Sequence, residues 1–221
     1  MTDGQPKLTL YSYFRSSAAY RVRIALNLKG IAYDIAPVHL IRDGGQHRSP
    51  WYEAINPQKR VPALVIDEDG RSTTLVQSPA IIEWIEEAFP SPPLLPVDRL
   101  ERARVRAVAA IVACDIHPLN NLSTLDALRD RFDASEGQRK EWIGSWVTQG
   151  FEAIETLMTG TPFAFGEAPG LADVYLVPQV FNARRFEVDL TAFPKIVATA
   201  AACAQVAAFQ DAAPDRQPDG G

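Results

Sequence analysis

The chain has 221 residues, 47% of them hydrophobic, and a formal net charge of −5. That length allows one large domain or two small ones with separate cores, and the composition is that of a folded globular chain rather than a disordered one. No basic run is dense enough to follow a phosphate backbone, so nucleic-acid binding is not expected; no apolar run is long enough to span a bilayer. The opening stretch MTDGQPKL has no basic-then-apolar leader, which makes the cytoplasm the expected compartment.

Residues 7–13 alternate enough to predict a first strand, and 17–29 carry Val22, Ala25, Leu26 and Leu28 at helical spacing. Between them stand Arg15, Ser16 and Ser17. A serine pair at a strand-to-helix turn can cap the helix. It can equally aim a hydroxyl at a bound anion, beside the free N–H groups and partial positive charge of the helix start. Gly30 closes the helix. A looser alternation over 31–40 predicts a second strand, which makes a βαβ unit with a parallel pair. Asp43-Gly44-Gly45 is a turn, and 47–54 is short and polar.

Val61–Asp67 predicts a third strand, Asp69-Gly70 a hairpin turn, and Thr73–Val76 the returning strand. Ser78-Pro79 opens a helix with cap and N1 proline in favoured places, running to Phe89. PSPPLLP, residues 90–96, cannot continue a helix and is taken as a linker. Beyond it alanine rises and strand-like runs vanish. Helical patterns cover 97–115, a stretch within 132–158, 171–186 (kinked at Pro178) and 194–209, and the polar tail 214–221 is expected to be loose. The expected domains are therefore 1–89, an α/β layer, and 97–221, an all-helical domain.

The β-α-β-α-β-β-α order, with Val61-Pro62 before the third strand, suggests a thioredoxin-like layout. A cis Val61-Pro62 bond would turn the Val61 backbone groups outward, where an extended peptide could pair with them as a strand does; an edge-strand proline is the plainer alternative. Redox proteins of that layout begin the first helix with Cys-x-x-Cys, and here Ser16-Ser17-Ala18-Ala19 stands in its place. Any sulfur chemistry therefore needs a thiol brought by a ligand, its thiolate stabilised by a hydroxyl and helix-start N–H groups. Cys114 and Cys203 lie in apolar patterns and are expected to be small core residues. His39, His47 and His117 show no metal-ligand spacing, so no metal is expected. His39 is expected to have a local partner, Arg21 and Arg23 to be solvated or ion-paired, and Trp142 with Trp146 to belong to the core.

YSYFRSSAAYRVRIALNL (11–28), Asn56-Pro57 with Val61-Pro62, Gln77-Ser78, Asn121-Leu122-Ser123 and LVPQVFNARRFEVDL (176–190) together resemble the zeta class of glutathione transferases, the maleylacetoacetate isomerases. The resemblance covers nearly the whole chain and implies a thioredoxin-like domain followed by an all-α domain, a homodimer, and glutathione as cofactor. It implies Ser16 as the hydroxyl nearest the glutathione sulfur with Ser17 beside it, Val61 (before Pro62) pairing with the cysteinyl backbone, and Gln77 and Ser78 holding the γ-glutamyl end. His47 matches a glutamine at the glycyl end in relatives. His117, Asn121 and Ser123 match second-domain positions near the glutathione or substrate, and Arg15 and Arg185, with Arg184 adjacent, would bind the carboxylates of a maleyl-type diacid. Alanine at 18 replaces a cysteine common in relatives, and Gly170 replaces a capping Ser or Thr. The implied activity is glutathione-dependent cis–trans isomerisation of maleylacetoacetate. Maleylpyruvate isomerisation, glutathione conjugation and a non-catalytic interaction role stay open beside it.

Overall fold

The structure, a computed structural model, describes residues 6–220. Residues 1–5 and 221, the ends of the expected leader reading, domains and tail, lie outside the described residues. The chain forms two compact units: one made of the residues up to Pro93 together with those from Val206 on, the other of Leu94–Gln205.

In the first unit the order is β1 (Lys7–Ser12), α1 (Ser17–Leu28), β2 (Asp34–Pro37), two 3-10 turns at Arg42–Gly44 and Gln46–Arg48, α2 (Pro50–Glu53), β3 (Ala63–Glu68), β4 (Arg71–Val76) and α3 (Ser78–Ala88). The sheet order is β2-β1-β3-β4, with β1 parallel to β2 and antiparallel to β3, and β3 antiparallel to β4. This is the thioredoxin-like layer that the pattern predicts. Leu8, Leu10 and Ser12 alternate inward along β1. Helix α1 stops in a Schellman motif: Gly30 sits at φ +66°, Ile31 N–H donates to Leu26 O at 3.0 Å and Gly30 N–H to Asn27 O at 3.0 Å. The motif takes up residues 29–31, and the chain folds into 3-10 turns soon after Pro37, so β2 is shorter than the expected 31–40.

Two expectations fail here for one reason. Residues 206–220 group with the first unit rather than completing the helical domain, and the described part of 214–221 is not loose. Helix α10 (Ala207–Ala212) packs on α1, and a 3-10 turn follows at Pro214–Arg216. Gln217 Nε2 then donates to Asp211 O and Ala213 O, both at 2.9 Å. Of the expected alternatives for Arg21 and Arg23, solvated or ion-paired, the solvated one does not hold, since they are 1% and 0% exposed. Arg23 lies in the seam between α1 and α10, donating to Ala212 O at 2.9 Å. Distant segments supply these arginines with acceptors, which no local pattern reports.

The second unit holds α4 (Arg99–Ala110), a π-helical turn at Ile111–Ile116, α5 (His117–Asn120), α6 (Leu122–Phe132), α7 (Glu136–Leu157), α8 (Leu171–Arg185) and α9 (Pro194–Cys203). The expected helices at 97–115, 171–186 and within 132–158 correspond to α4 with the π turn, α8 and α7. Helix α6 has no expected counterpart. It ends at Asp133, in the left-handed region at φ +51°, and α7 restarts on a capping box of Ser135 and Gln138. The expected 194–209 helix is two, α9 in this unit and α10 in the first. Helix α8 is buried on almost every side, as the middle helix of a bundle must be. Gly150 lets Ile116 of the π turn approach α7: a Cβ there would meet Ile116 Cδ1 at 2.3 Å. Cys203 is buried and its thiol pKa is raised by desolvation. Cys114 is exposed on the π turn, contrary to its expected core role, because the widened turn directs it outward. No helix among the described residues is long and apolar enough to cross a membrane.

Candidate active site

Ser16 occupies the position where β1 ends and α1 begins. Its Oγ accepts from Ala19 N–H at 3.2 Å, so it is the N-cap. Its own N–H donates to Tyr13 O at 2.9 Å and its C=O accepts from Tyr20 N–H at 2.8 Å. Capping and anion binding are compatible in this geometry. The Oγ lone pair serves the helix while the hydroxyl proton stays available to donate. Ser17 is buried as the first helical residue. Arg15 donates from Nε and Nη2 to Tyr13 Oη at 3.3 and 3.0 Å, and its guanidinium lies 5.0 Å from the Phe14 ring centroid. The aromatic pair thus fixes where Arg15 can reach.

Val61 and Pro62 lead into β3, and the bond between them is cis. The ladder's last rungs are Tyr11 with Ala63 and Ala63 with Val76, so Val61's N–H and C=O lie outside the sheet's pairing. The segment is nevertheless held firmly. Tyr52 Oη and Asn56 Nδ2 both donate to Arg60 O, at 2.7 and 2.6 Å. The Val61 side chain packs with Tyr13, Val38 and Tyr52, and Phe14 lies against that cluster. Burial raises the Tyr52 phenol pKa, so it remains a donor at neutral pH.

Gln77 stands at the N-cap position of α3 without a side-chain capping bond, at φ +69°, a left-handed conformation that costs a non-glycine residue about 1–3 kcal/mol and tends to be retained where a site needs it. Its Nε2 donates to Gln58 Oε1 at 2.5 Å. Ser78 is buried, and its Oγ accepts from Arg21 Nη1 at 3.4 Å. Arg21, one turn into α1, therefore ties the start of α3 to α1. His47 sits on the Gln46–Arg48 turn. Gly45 before it has φ +97°, and a Cβ there would meet His47 Cε1 at 2.6 Å and Leu40 O at 2.9 Å. His39 has the local partners expected of it: its Nδ1 accepts from Ile41 N–H at 3.2 Å and Arg42 N–H at 2.7 Å. It is not in a strand, however.

In the second unit His117 begins α5 and Asn121 caps α6. Asn121 Oδ1 accepts from Thr124 N–H at 3.1 Å and from Ser123 Oγ at 2.7 Å, while its Nδ2 donates to Pro118 O at 2.8 Å. These three expected site residues share one short stretch, and Asn121 and Ser123 build its cap. Sequence reasoning missed the amide set beneath it: Asn120 Nδ2 donates to Asn182 Oδ1 at 3.1 Å, and Gln179 Nε2 reaches the same oxygen at 3.4 Å. This links α5 to the turn of α8 preceding Arg185. The polar residues of NARRF, buried at Asn182 and exposed at Arg184 and Arg185, were the available hint. Arg185 lies 4.5 Å from the Phe186 ring centroid. Trp142 and Trp146 are half-buried and stack edge to face at 5.6 Å. No group of three or more His, Cys, Asp or Glu among the described residues could hold a metal ion.

The first unit thus presents two helix starts, an unpaired peptide segment at Val61, and no cysteine at the head of α1. That set suits a bound peptide carrying a carboxylate and a thiol.

Comparison with known proteins agrees with this chemistry. Residues 15–88 match the family described as the glutathione S-transferase N-terminal domain. A maleylacetoacetate isomerase of Pseudomonas aeruginosa is 55% identical over 96% of this chain and 98% of its own length. A holo maleylpyruvate isomerase structure, described as a bacterial glutathione transferase of zeta class, is 50% identical with TM-score 0.89, covering 96% of this chain and 99% of the other. A maleylacetoacetate isomerase of Anaeromyxobacter dehalogenans, solved with glutathione in its active site, is 45% identical with TM-score 0.89, covering 99% of this chain and 100% of that one.

Proposed function

The chain belongs to the zeta class of the glutathione S-transferases, and we propose that it is a glutathione-dependent isomerase converting maleylacetoacetate to fumarylacetoacetate. The observation that carries this reading is Ser16: its Oγ caps the helix by accepting from Ala19 N–H, a hydroxyl in that role keeps a proton to donate, and the head of the helix has no cysteine. Glutathione bound there supplies the nucleophilic thiolate that adds reversibly to the cis double bond and leaves again after rotation, so that it is regenerated.

The protein's share of the work is positional and electrostatic. Ser16, with Ser17 beside it, holds the sulfur ionised through the hydroxyl proton and the helix-start dipole. Val61, ahead of Pro62, pairs with the cysteinyl backbone. Gln77 and Ser78, at the start of α3, hold the γ-glutamyl carboxylate, and His47 the glycyl end. His117, Asn121 and Ser123 serve the glutathione or substrate region. Arg15 and Arg185 take the diacid's carboxylates and the charge that grows on its conjugated carbonyl, which favours the transition state over the ground state.

Mixing the protein with glutathione and maleylacetoacetate, and following the loss of the enol absorbance, tests this. Turnover should require glutathione and leave its concentration unchanged. One-for-one loss of glutathione would mark a conjugating enzyme instead. The maleylpyruvate isomerase relative at 50% identity supports a second substrate; kcat/KM measured side by side on the two maleyl acids decides between them. We also place the protein in a reducing compartment, the cytoplasm, which suits free Cys114 and Cys203 and a thiol cofactor. A homodimer is consistent with the large apolar side chains left exposed at Trp51, Val97 and Leu100; sedimentation at twice the chain's 24.3 kDa is the expected result.

A further inference from the structure

The Ser12–Ser16 loop carries the groups assigned to the thiol, and residues remote in sequence hold its middle. Phe14 is gripped on both sides of its backbone. Its N–H donates to Asp219 Oδ2 at 3.1 Å, and its C=O accepts from Arg23 Nη2 at 3.0 Å. Arg23 also donates from Nη1 to Ser12 Oγ at 2.9 Å and from Nε to Ala212 O at 2.9 Å. One buried guanidinium therefore joins the end of β1, the loop and the end of α10. The Phe14 ring meets Tyr13 edge to face at 4.7 Å and lies beneath the Arg15 guanidinium. Fixing Phe14 thus fixes both neighbours of the reaction, Arg15 through its ring and Ser16 through the Tyr13 carbonyl.

We propose that Asp219 and Arg23 are positioning residues for the glutathione chemistry: they form a clasp through which the 206–220 segment sets the backbone of the Ser16 loop. Neither touches the reacting atoms in this assignment, and the proposal rests on the function given above. Two features separate the clasp from ordinary packing. Among the described residues the loop amide is the only hydrogen-bond partner of the carboxylate, through Oδ2, while Oδ1 is buried without one. A second tie across the α1–α10 seam does not reach the loop: Asn27 Nδ2 donates to Ala208 O at 3.0 Å. Burial lowers the Arg23 pKa to about 10, which leaves it charged at neutral pH and able to oppose the Asp219 charge.

The test compares Asp219→Ala, Asp219→Asn and Asn27→Ala in the full chain. Asp219→Ala should lower glutathione-dependent kcat/KM roughly tenfold, because a small misplacement of reacting groups costs rate steeply. Asp219→Asn, which keeps an oxygen for the Phe14 N–H, should recover most of that loss. Asn27→Ala should lower Tm and leave kcat/KM unchanged. Hydrogen exchange supplies a readout independent of turnover: amides of residues 13–17 should exchange faster in Asp219→Ala and not in Asn27→Ala. Unaltered exchange in Asp219→Ala, or equal loss of kcat/KM in Asp219→Ala and Asn27→Ala, overturns the clasp. Absence of glutathione-dependent turnover in the unsubstituted chain overturns the isomerase assignment instead, and the exchange comparison then still decides the clasp.

Discussion

Single side chains decide this site through what their neighbours leave them free to do. Ser16 spends its lone pair on Ala19 and retains its proton. His47 owes its placement to a residue without a side chain, since Gly45 sits at φ +97° with the imidazole 2.6 Å from where a Cβ would be. Gly45→Ala should therefore displace His47 and strain the turn, raising KM for glutathione several-fold with a smaller change in kcat. Initial rates at varied glutathione check this, and an unchanged KM would show that His47 is dispensable there. At this scale Ser16 was legible in the sequence, because a strand, a serine pair and a helix follow one another within a few residues and capping chemistry is local. Arg23 was not. Its acceptors include Ala212, and a buried arginine in a helix looks the same in sequence as a solvated one until the distant partner is known.

Elements of secondary structure hold these residues through their ends. Arg21 of α1 ties the start of α3 to that helix through Ser78. In the second unit α8 starts at Gly170 with no side-chain cap of its own. Asp173 compensates by accepting from Gly170 N–H at 2.8 Å and Ala164 N–H at 2.9 Å. Desolvation outweighs those two bonds and raises the Asp173 pKa from 3.8 to about 6. The sign follows from linkage. With the folded pKa above the unfolded one, the folded protein binds the proton more tightly. The stability Asp173 contributes is then full below about pH 4 and is lost as pH rises through about 6. The stability difference between the native chain and Asp173→Asn should shrink across that window, by on the order of 3 kcal/mol at most. Denaturant midpoints at pH 4 and pH 7 measure it; a difference independent of pH would mean the carboxylate titrates normally. Most elements were legible from period and punctuation. Those that were not are the ones whose signal is weak for a physical reason. Helix α6 has no buried residue to give it a stripe, and the alanine-rich 194–209 run carries too little contrast to show its break at 204–206.

At the scale of the whole molecule, the order of elements along the chain was legible, whereas the return of 206–220 to the first unit was not. That return brings Asp219 Oδ2 to the Phe14 N–H and the Ala212 carbonyl to Arg23. Every role assigned in the site assumes that the protein lends an environment to a sulfur it does not itself carry. The direct measurement is the ultraviolet absorbance of thiolate on bound glutathione, titrated against pH in the native chain and in Ser16→Ala. The native chain should show a midpoint roughly one to two units below that of the free thiol, and Ser16→Ala a midpoint restored most of the way toward it. Identical midpoints in the two proteins, or a bound thiol that titrates as it does in water, would contradict the assignment of Ser16 and the chemistry built on it.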